Sequence, residues 1–392
     1  MSEIFDVIVL GGGIVGASTA YSLAKQGQNV LLIDQFEAGH THGSSHGDGR
    51  VVRFNYTEAI YVEMAMLAYE KWASLAEAVG EPLLQETGLI EYGVAGDEAI
   101  AVTEKILKQY AIDYEKLDAD EANRRFPQYH FEAGKDIIFQ KGGAVAFATP
   151  AVKALWRLTE ENGGQTQSGI RIETIDATPD SVTLASADGQ VFTAKQVVIT
   201  GGGWTNMLTK QLDLDLPLTV TQEVLAYFAP KNDTVNHHVG TMPVMLDNHK
   251  LPNTEAVFYC LPIVDVQGVK VGWHHSGHNM NPDDARVIPD EVLSALSSWI
   301  ERMFPHLECE PFEVLTCLYT NTPDYHFILD KHPHYDNVTI GTGFSGHGFK
   351  FGSILGDLLT DLVLGNEPAI ALDTFKIARF DNPDILDKRL GA

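Results

Sequence analysis

Short apolar runs without polar alternation, each followed by glycines or an amphipathic stretch, mark both ends of this chain. FDVIVL (residues 5–10) predicts a strand covered on both faces within a parallel sheet, because a half-exposed strand would alternate. GGGIVGASTAYSLAKQG (11–27) predicts a glycine turn and a helix ending at Gly27, and QNVLLID (28–34) a second buried strand. Together they make one βαβ unit of about 30 residues with a right-handed crossover. EAIYVEMAMLAYEKWASLAEAVG (58–80) predicts the next helix, with Tyr61, Met64, Met66, Leu67 and Tyr69 partly on one face. A stripe of that kind reads as core.

From LLQETGLIEYGV (83–94) to HFEAGKDIIFQKGGAVAFA (130–148) strand-like runs surround a helical DEAIAVTEKILKQYA (97–111), an excursion into a second domain. TPAVKALWRLTEENGG (149–164) predicts a helix capped by Thr149, with Pro150 at its first position and Gly163 and Gly164 stopping it. Residues 170–200 predict a strand meander with a turn at ADG, ending in VVITGGGW, an echo of VIVLGGG near the start. Strand-rich TVTQEVLAYFAP and VFYCLPIVDVQGVKVGWHH follow, with one helix in PDEVLSALSSWIERMF. NVTIGTGFSGHGFKFGSILGDLLTDLVLG (337–365) then predicts strand, glycine-rich turn and helix. With no low-complexity linker between the blocks, two domains are interleaved.

Charge narrows the partners. With 53 acidic against 27 basic residues the formal charge is -26, and the surrounding field repels polyanions, which excludes nucleic acid as the expected partner. No run of about 18 apolar residues occurs, so no membrane span is expected, and the N-terminus lacks a basic region before its short apolar run. Cys260, Cys309 and Cys317 form neither a disulfide framework nor a CxxC pattern, no metal site is expected, and DKRLGA (387–392) carries no peroxisomal or retention tripeptide. The expected location is cytoplasmic.

Gly11, Gly13 and Gly16 form GxGxxG directly after a strand and opening a helix, with Asp34 ending the next strand. Glycine there permits a tight turn and close approach of a pyrophosphate, the helix N-terminus favours its charge, and Asp34 would accept from a ribose. An ordinary βαβ turn carries similar glycines, and the motif alone does not separate NAD from FAD. HTHGSSHGDGRVVRFNY (40–56) adds Arg50 and Arg53, three apart and so on one side of any helical turn, in a chain poor in positive charge. GFSGHGFKFGSILGDLL places Gly343, Gly346 and Gly348 before a helix, with Lys350 in its first turn, where a cation opposes the helix dipole and a bound anion would account for it.

With GGGIVGASTAYSLAKQG, HGDGRVVR, GWHH, TCLYTNTPDYHFILD and GFSGHGFKFG in order, the chain resembles, over nearly its whole length, the flavin amine oxidases of the monomeric sarcosine oxidase and N-methyltryptophan oxidase group of the D-amino-acid oxidase superfamily. The resemblance implies an α/β fold, α+β overall: a Rossmann-like FAD-binding domain (1–85, 148–217 and 320–392) interleaved with an antiparallel-sheet substrate domain (86–147 and 218–319). It implies FAD bound covalently through Cys317, which stands two residues before Tyr319, since a thiolate can attack an electron-poor flavin methyl. Cys260 and Cys309 are then core residues. Arg53 and Lys350 look like the pair that holds a substrate carboxylate, and Lys270 like the lysine that activates dioxygen. Tyr259, His274, Tyr319 and His347 would line the substrate cavity, with Ser45 and Arg50 near the flavin. The alternative reading of Tyr259 and Tyr319, as strand core residues, stays open.

Departures concern specificity. The family's SHHGDTR is SSHGDGR here, with Ser45 and Gly49 replacing a histidine and a threonine, and RHAYGEG is RFNYTEA, with Phe54 and Asn55 after Arg53. These put sarcosine in question while leaving the cofactor in place. The resulting expectation is a monomeric FAD-dependent oxidase of a secondary-amine amino acid, N-methylated or cyclic. It passes a hydride equivalent to flavin N5, releases an imine that hydrolyses, and reduces dioxygen to hydrogen peroxide. Two alternatives stay open: a flavin dehydrogenase serving another acceptor, and a catalytically silent nucleotide-binding protein.

Overall fold

The computed structural model describes residues 4–248 and 257–386; Met1–Glu3 and the C-terminal DKRLGA lie outside them. Strand Ile4–Leu10 occupies the middle of an eight-stranded sheet, parallel to Val30–Ile33 on one side and to Val191–Ile199 on the other. Gln165–Gln167 and Val338–Thr342 extend the parallel part, and Ile172–Ala177, Val182–Ser186 and Ile328–Lys331 add antiparallel edges. The unalternated apolar runs occupy this middle because both faces are covered: Val7 and Val9 pack towards helices Ile14–Lys25 and Gly352–Leu364, Ile8 and Leu10 away from them in a cluster with Leu212, Leu216 and Phe380. Helix Ile14–Lys25 meets Gly352–Leu364 closely, since a Cβ on Gly356 would lie 2.2 Å from Ser18 Oγ.

A nine-stranded sheet holds Thr219–Phe228 near one end, flanked from Thr219 to Tyr227 by Glu313–Asn321. It continues through Val269–His274, Val257–Leu261 and Val244–Asp247 to Leu89–Val94, Lys135–Gln140 and Glu115–Leu117. All pairs are antiparallel except Val244–Asp247 with Leu89–Val94. One face is dry: Val224, Ala226, Phe228, Phe258, Cys260 and Val271 pack on Trp299, Ile300 and Met303 of helix Asp290–Met303. A small third sheet, Gly49–Val52, Ala144–Phe147 and Leu84–Glu86, bridges the two. Among the described residues no helix is long and apolar enough to cross a membrane.

Several local expectations need correction. Helix Ala148–Glu161 begins at Ala148 with Phe147 at its cap, and Thr149 Oγ1 accepts from Gly47 N instead of capping. In helix Ala59–Val79 the buried stripe is Tyr61, Met64, Ala65, Ala68, Trp72 and Leu75; Met66 is exposed, because 66 falls two residues from 64 and 68, on the opposite side of the turn. Arg50 sits in the strand Gly49–Val52 and Arg53 just beyond it, so no helical turn aligns them. Lys350 belongs to a 3₁₀ turn, Phe349–Phe351, that precedes the helix. Cys260 is fully buried, whereas Cys309 is only partly so, in a loop.

Candidate functional site

The glycine turn after the first strand is held from three sides. Gly11 takes φ +100°, where a side chain is strained, and a Cβ on it would lie 2.4 Å from Thr200 O. On Gly16 a Cβ would lie 1.8 Å from Gly11 O, so glycine here is a packing requirement of the turn on its own helix. Trp156 Nε1 donates to Gly12 O (2.8 Å), and Thr200 Oγ1 to Leu10 O and Gly11 O, both 2.9 Å. Asp34 accepts from Gly12 N (2.6 Å) and Phe36 N (2.8 Å), and burial raises its carboxyl above the usual range despite those bonds. Asp34 therefore secures the turn itself, and only its remaining lone pairs are left for a ligand. Ser45 Oγ accepts from Ile14 N at the start of the first helix (3.1 Å).

A cavity of about 460 Å³ runs from this turn to the second sheet. Gly11, Gly13, Asp34, Ser45, Arg50, Cys317, Gly346 and Gly348 line it, as do Arg53, Lys270, Lys350, Tyr259, His274, Tyr319 and His347. Gly16 and Gly343 stand behind the wall, Gly343 with φ +67° at the mouth of a loop in which Ser345 (φ +47°) and Gly346 (φ +76°) also adopt left-handed backbone. A Cβ on Gly346 would lie 2.3 Å from the Tyr319 ring, so the loop closes directly on that tyrosine.

The second sheet supplies one continuous face, because opposed residues of neighbouring strands point the same way. Tyr319 opposes Thr221, Cys317 opposes Glu223, Lys270 opposes Tyr227, and Gly272 opposes Leu225. Gly272 in turn opposes Tyr259, Tyr259 opposes Leu246, and Leu246 opposes Glu91. A Cβ on Gly272 would meet the Tyr259 hydroxyl at 2.5 Å, so that glycine makes room for the ring.

Each group on this face is tuned by burial. Lys270 is 2% exposed; its Nζ donates to Gly49 O (3.0 Å) and stands 3.7 Å from Asp48, which accepts from Tyr227 Oη (2.8 Å). Burial, then Arg50, pulls Lys270 down to about 7, with Asp48 opposing. Cys317 is also buried, and desolvation pushes its thiol up to about 11 although Arg50 and Lys270 act the other way. The thiol is protonated at neutral pH, contrary to the simple picture of a ready thiolate. Glu223, in contact with Thr221 Oγ1 (2.6 Å) and Gly277 N (3.1 Å), is raised to about 7 by burial.

At the far end two cations crowd one ring: Arg53 lies 4.5 Å and Lys350 Nζ 5.5 Å from the centre of Tyr56. Lys350 is 6% exposed, donates to His347 O (2.8 Å), and is held well below the usual lysine range by burial and then by Arg53. Among the described residues neither cation has a carboxylate within 4 Å. His347 Nε2 faces Tyr325 O (3.1 Å) and so carries the proton, leaving Nδ1 to accept from Tyr56 Oη (3.2 Å); burial and Lys350 keep the ring neutral. His274 Nδ1 meets Tyr319 Oη at 3.0 Å and is likewise held neutral, by burial first.

Two acids on the sheet face, Glu91 and Glu223, escape a motif search. Their signal is a lone carboxylate inside an otherwise buried strand, LIEYGV and TVTQEVLAYF, where a charge is expensive unless used. Asp48 is visible only through its partners Lys270 and Tyr227, which are distant in sequence.

The residues fit FAD. A helix start and glycine turn stand ready for a pyrophosphate, an acid follows at the second strand, and the cavity extends to a cysteine and a buried lysine on the facing sheet. Comparison with known proteins agrees. The family described as FAD dependent oxidoreductase matches residues 6–362. The chain is 34% identical to monomeric sarcosine oxidase of Bacillus sp. (strain B-0618) over 97% of each chain. To N-methyl-L-tryptophan oxidase of Citrobacter koseri it is 30% identical, over 96% of this chain and 99% of that one. In fold it is similar to NikD, an unusual amino acid oxidase essential for nikkomycin biosynthesis, with a TM-score of 0.86 at 22% identity, covering 96% and 98% of the two chains. The chain thus belongs to the FAD-dependent oxidoreductase family, in its sarcosine oxidase and N-methyltryptophan oxidase branch, and is a flavoprotein oxidase.

Proposed function

We propose that this protein oxidises a secondary-amine amino acid to the imine and passes the electrons to dioxygen, giving hydrogen peroxide. The observation that carries the reading is the Arg53 and Lys350 pair: two adjacent cations in the cavity with no anion among the described residues are a costly arrangement that a substrate carboxylate relieves. FAD, when bound, supplies the two-electron acceptor. Arg53 and Lys350 hold the carboxylate and so fix the C–N bond, while Tyr259 and Tyr319 pack beside it and restrict water. The neutral rings of His274 and His347 add no positive charge there, which favours an unprotonated amine. Lys270, set apart on the sheet beside Asp48, is placed to favour negative charge developing on dioxygen. Cys317 is the proposed covalent anchor, with Arg50 and Lys270 as the cations that favour its thiolate.

The same reading divides the chain into an FAD-binding domain (1–85, 148–217 and 320–392) and a substrate domain (86–147 and 218–319), in a monomer. The test is oxygen uptake and peroxide release by the purified yellow protein with a panel of N-methyl and cyclic amino acids. Bleaching of the flavin without oxygen uptake would make the protein a dehydrogenase, and no bleaching by any amine would end the proposal.

A further inference from the structure

Beyond the carboxylate clamp, the wall of the cavity carries a second polar group for which the proposed reaction has no use. Glu91 is 5% exposed, yet both its oxygens are bonded: Oε2 accepts from Asn55 Nδ2 and Oε1 from Asn248 Nδ2, each at 2.8 Å. All three residues line the cavity, beside Leu246, Val257 and Tyr259. A carboxylate only accepts, so it fixes both amides with their NH₂ groups turned to it. That orientation leaves Asn55 Oδ1, on a side chain 1% exposed, as a buried acceptor without a partner among the described residues. Among the described residues no Lys, Arg or His lies within 4 Å of the Glu91 carboxylate. This end of the cavity therefore offers acceptors and negative charge and, among the described residues, lacks the donor that would satisfy them.

The position suits a substrate held by Arg53. Asn55 is two residues from Arg53, at most about 7 Å along the chain, and Glu91 lies two strand spacings, about 10 Å, from Tyr259 across the sheet. Neighbouring Phe54 turns the other way and stacks on Tyr69 (4.4 Å between centres). A net charge of -26 also draws cations towards the molecule.

We propose that Glu91 and Asn55 form a subsite for a cationic, hydrogen-bond-donating group of the substrate, so that the preferred substrate is an amino acid carrying an ammonium group several bonds from its carboxylate. The inference rests on the carboxylate clamp proposed above. It makes Glu91 and Asn55 specificity-determining residues.

The test compares two isosteric carboxylates, 5-aminopentanoate and hexanoate, binding to the flavin-loaded enzyme, followed by calorimetry. Wild type should bind 5-aminopentanoate about tenfold or more tightly, as one charge-assisted hydrogen bond implies. Glu91→Gln should erase that preference with little change for hexanoate, and Arg53→Ala should weaken both ligands while keeping their ratio. Equal binding of the two by wild type, or a preference that survives Glu91→Gln, overturns the subsite and leaves the clamp standing. If neither carboxylate binds, the clamp and the subsite fall together.

Discussion

Replacing Lys350 by methionine should strengthen the fold and weaken the site. The two side chains are nearly the same shape, so the change removes a buried charge with little loss of packing. Lys350 is 6% exposed and stands beside Arg53, and its single internal bond is to His347 O. Losing that bond costs about 1 kcal/mol, while the effective penalty of a buried ion without an anion is several kcal/mol. The net gain should be about 2 kcal/mol. With about 2.1 cal/mol/K of unfolding entropy per residue, a chain of this length gains roughly 2–3 °C in Tm.

The pH dependence follows from the depressed lysine. Because its folded value lies well below 10.5, wild type carries the full penalty while the lysine is protonated in both states, and loses it as pH rises towards the unfolded value. The advantage of Lys350→Met should therefore shrink as pH rises towards 10.5. Binding moves oppositely. Truncating one member of a buried, hydrogen-bonded charge pair costs about 2 kcal/mol or more, about 30-fold in the Kd of hexanoate. Thermal unfolding of the ligand-free, flavin-loaded protein and calorimetric titration measure the two effects. A lowered Tm together with an unchanged Kd would refute the reasoning.

Cys317→Ala should release its yellow colour to the supernatant on acid precipitation while wild type keeps it in the pellet; colour retained by the variant would remove Cys317 as the anchor. In wild-type apoprotein given FAD, attachment should quicken as pH rises, because a thiol held up to about 11 must first lose its proton. Lys270→Met should slow reoxidation by dioxygen about 100-fold or more while substrate reduction of the flavin persists. In wild type that reoxidation should fall as pH rises through about 7, where Lys270 loses its charge; stopped-flow absorbance at several pH values reads both, and a pH-independent rate would count against the role. Gly16→Ala, whose methyl would lie 1.8 Å from Gly11 O, should cost about 3 kcal/mol or more and release flavin, seen as a lowered Tm and lost absorbance.

Much of the framework was legible in sequence for local reasons. FDVIVL, the glycine turn and QNVLLID are one contiguous unit, so period, turn residues and helix start all report on the same few ångströms of structure. Errors arose where local rules met tertiary partners. Thr149 has the residue type of a cap, but Gly47 N, a hundred residues away, takes its hydroxyl. Arg50 and Arg53 looked co-facial only under a helical period, and pairing with Ala144–Phe147 makes that segment a strand. Cys317 stood out through the TCLYT segment shared with the family, while its thiol's upward shift depends on burial that no window of sequence records.

By itself, then, the sequence determined the βαβ unit and the family, and it named the candidate reactive side chains, because each depends on residue type and short-range spacing. Only the tertiary structure decided which of them share a surface. Strand register put Cys317, Lys270, Tyr259 and Glu91 on one face, though 226 positions separate the first from the last, counted as 317 minus 91. The same packing drained water from Lys270, Lys350 and Cys317, and desolvation, a property of the whole enclosure, shifted each towards its neutral form.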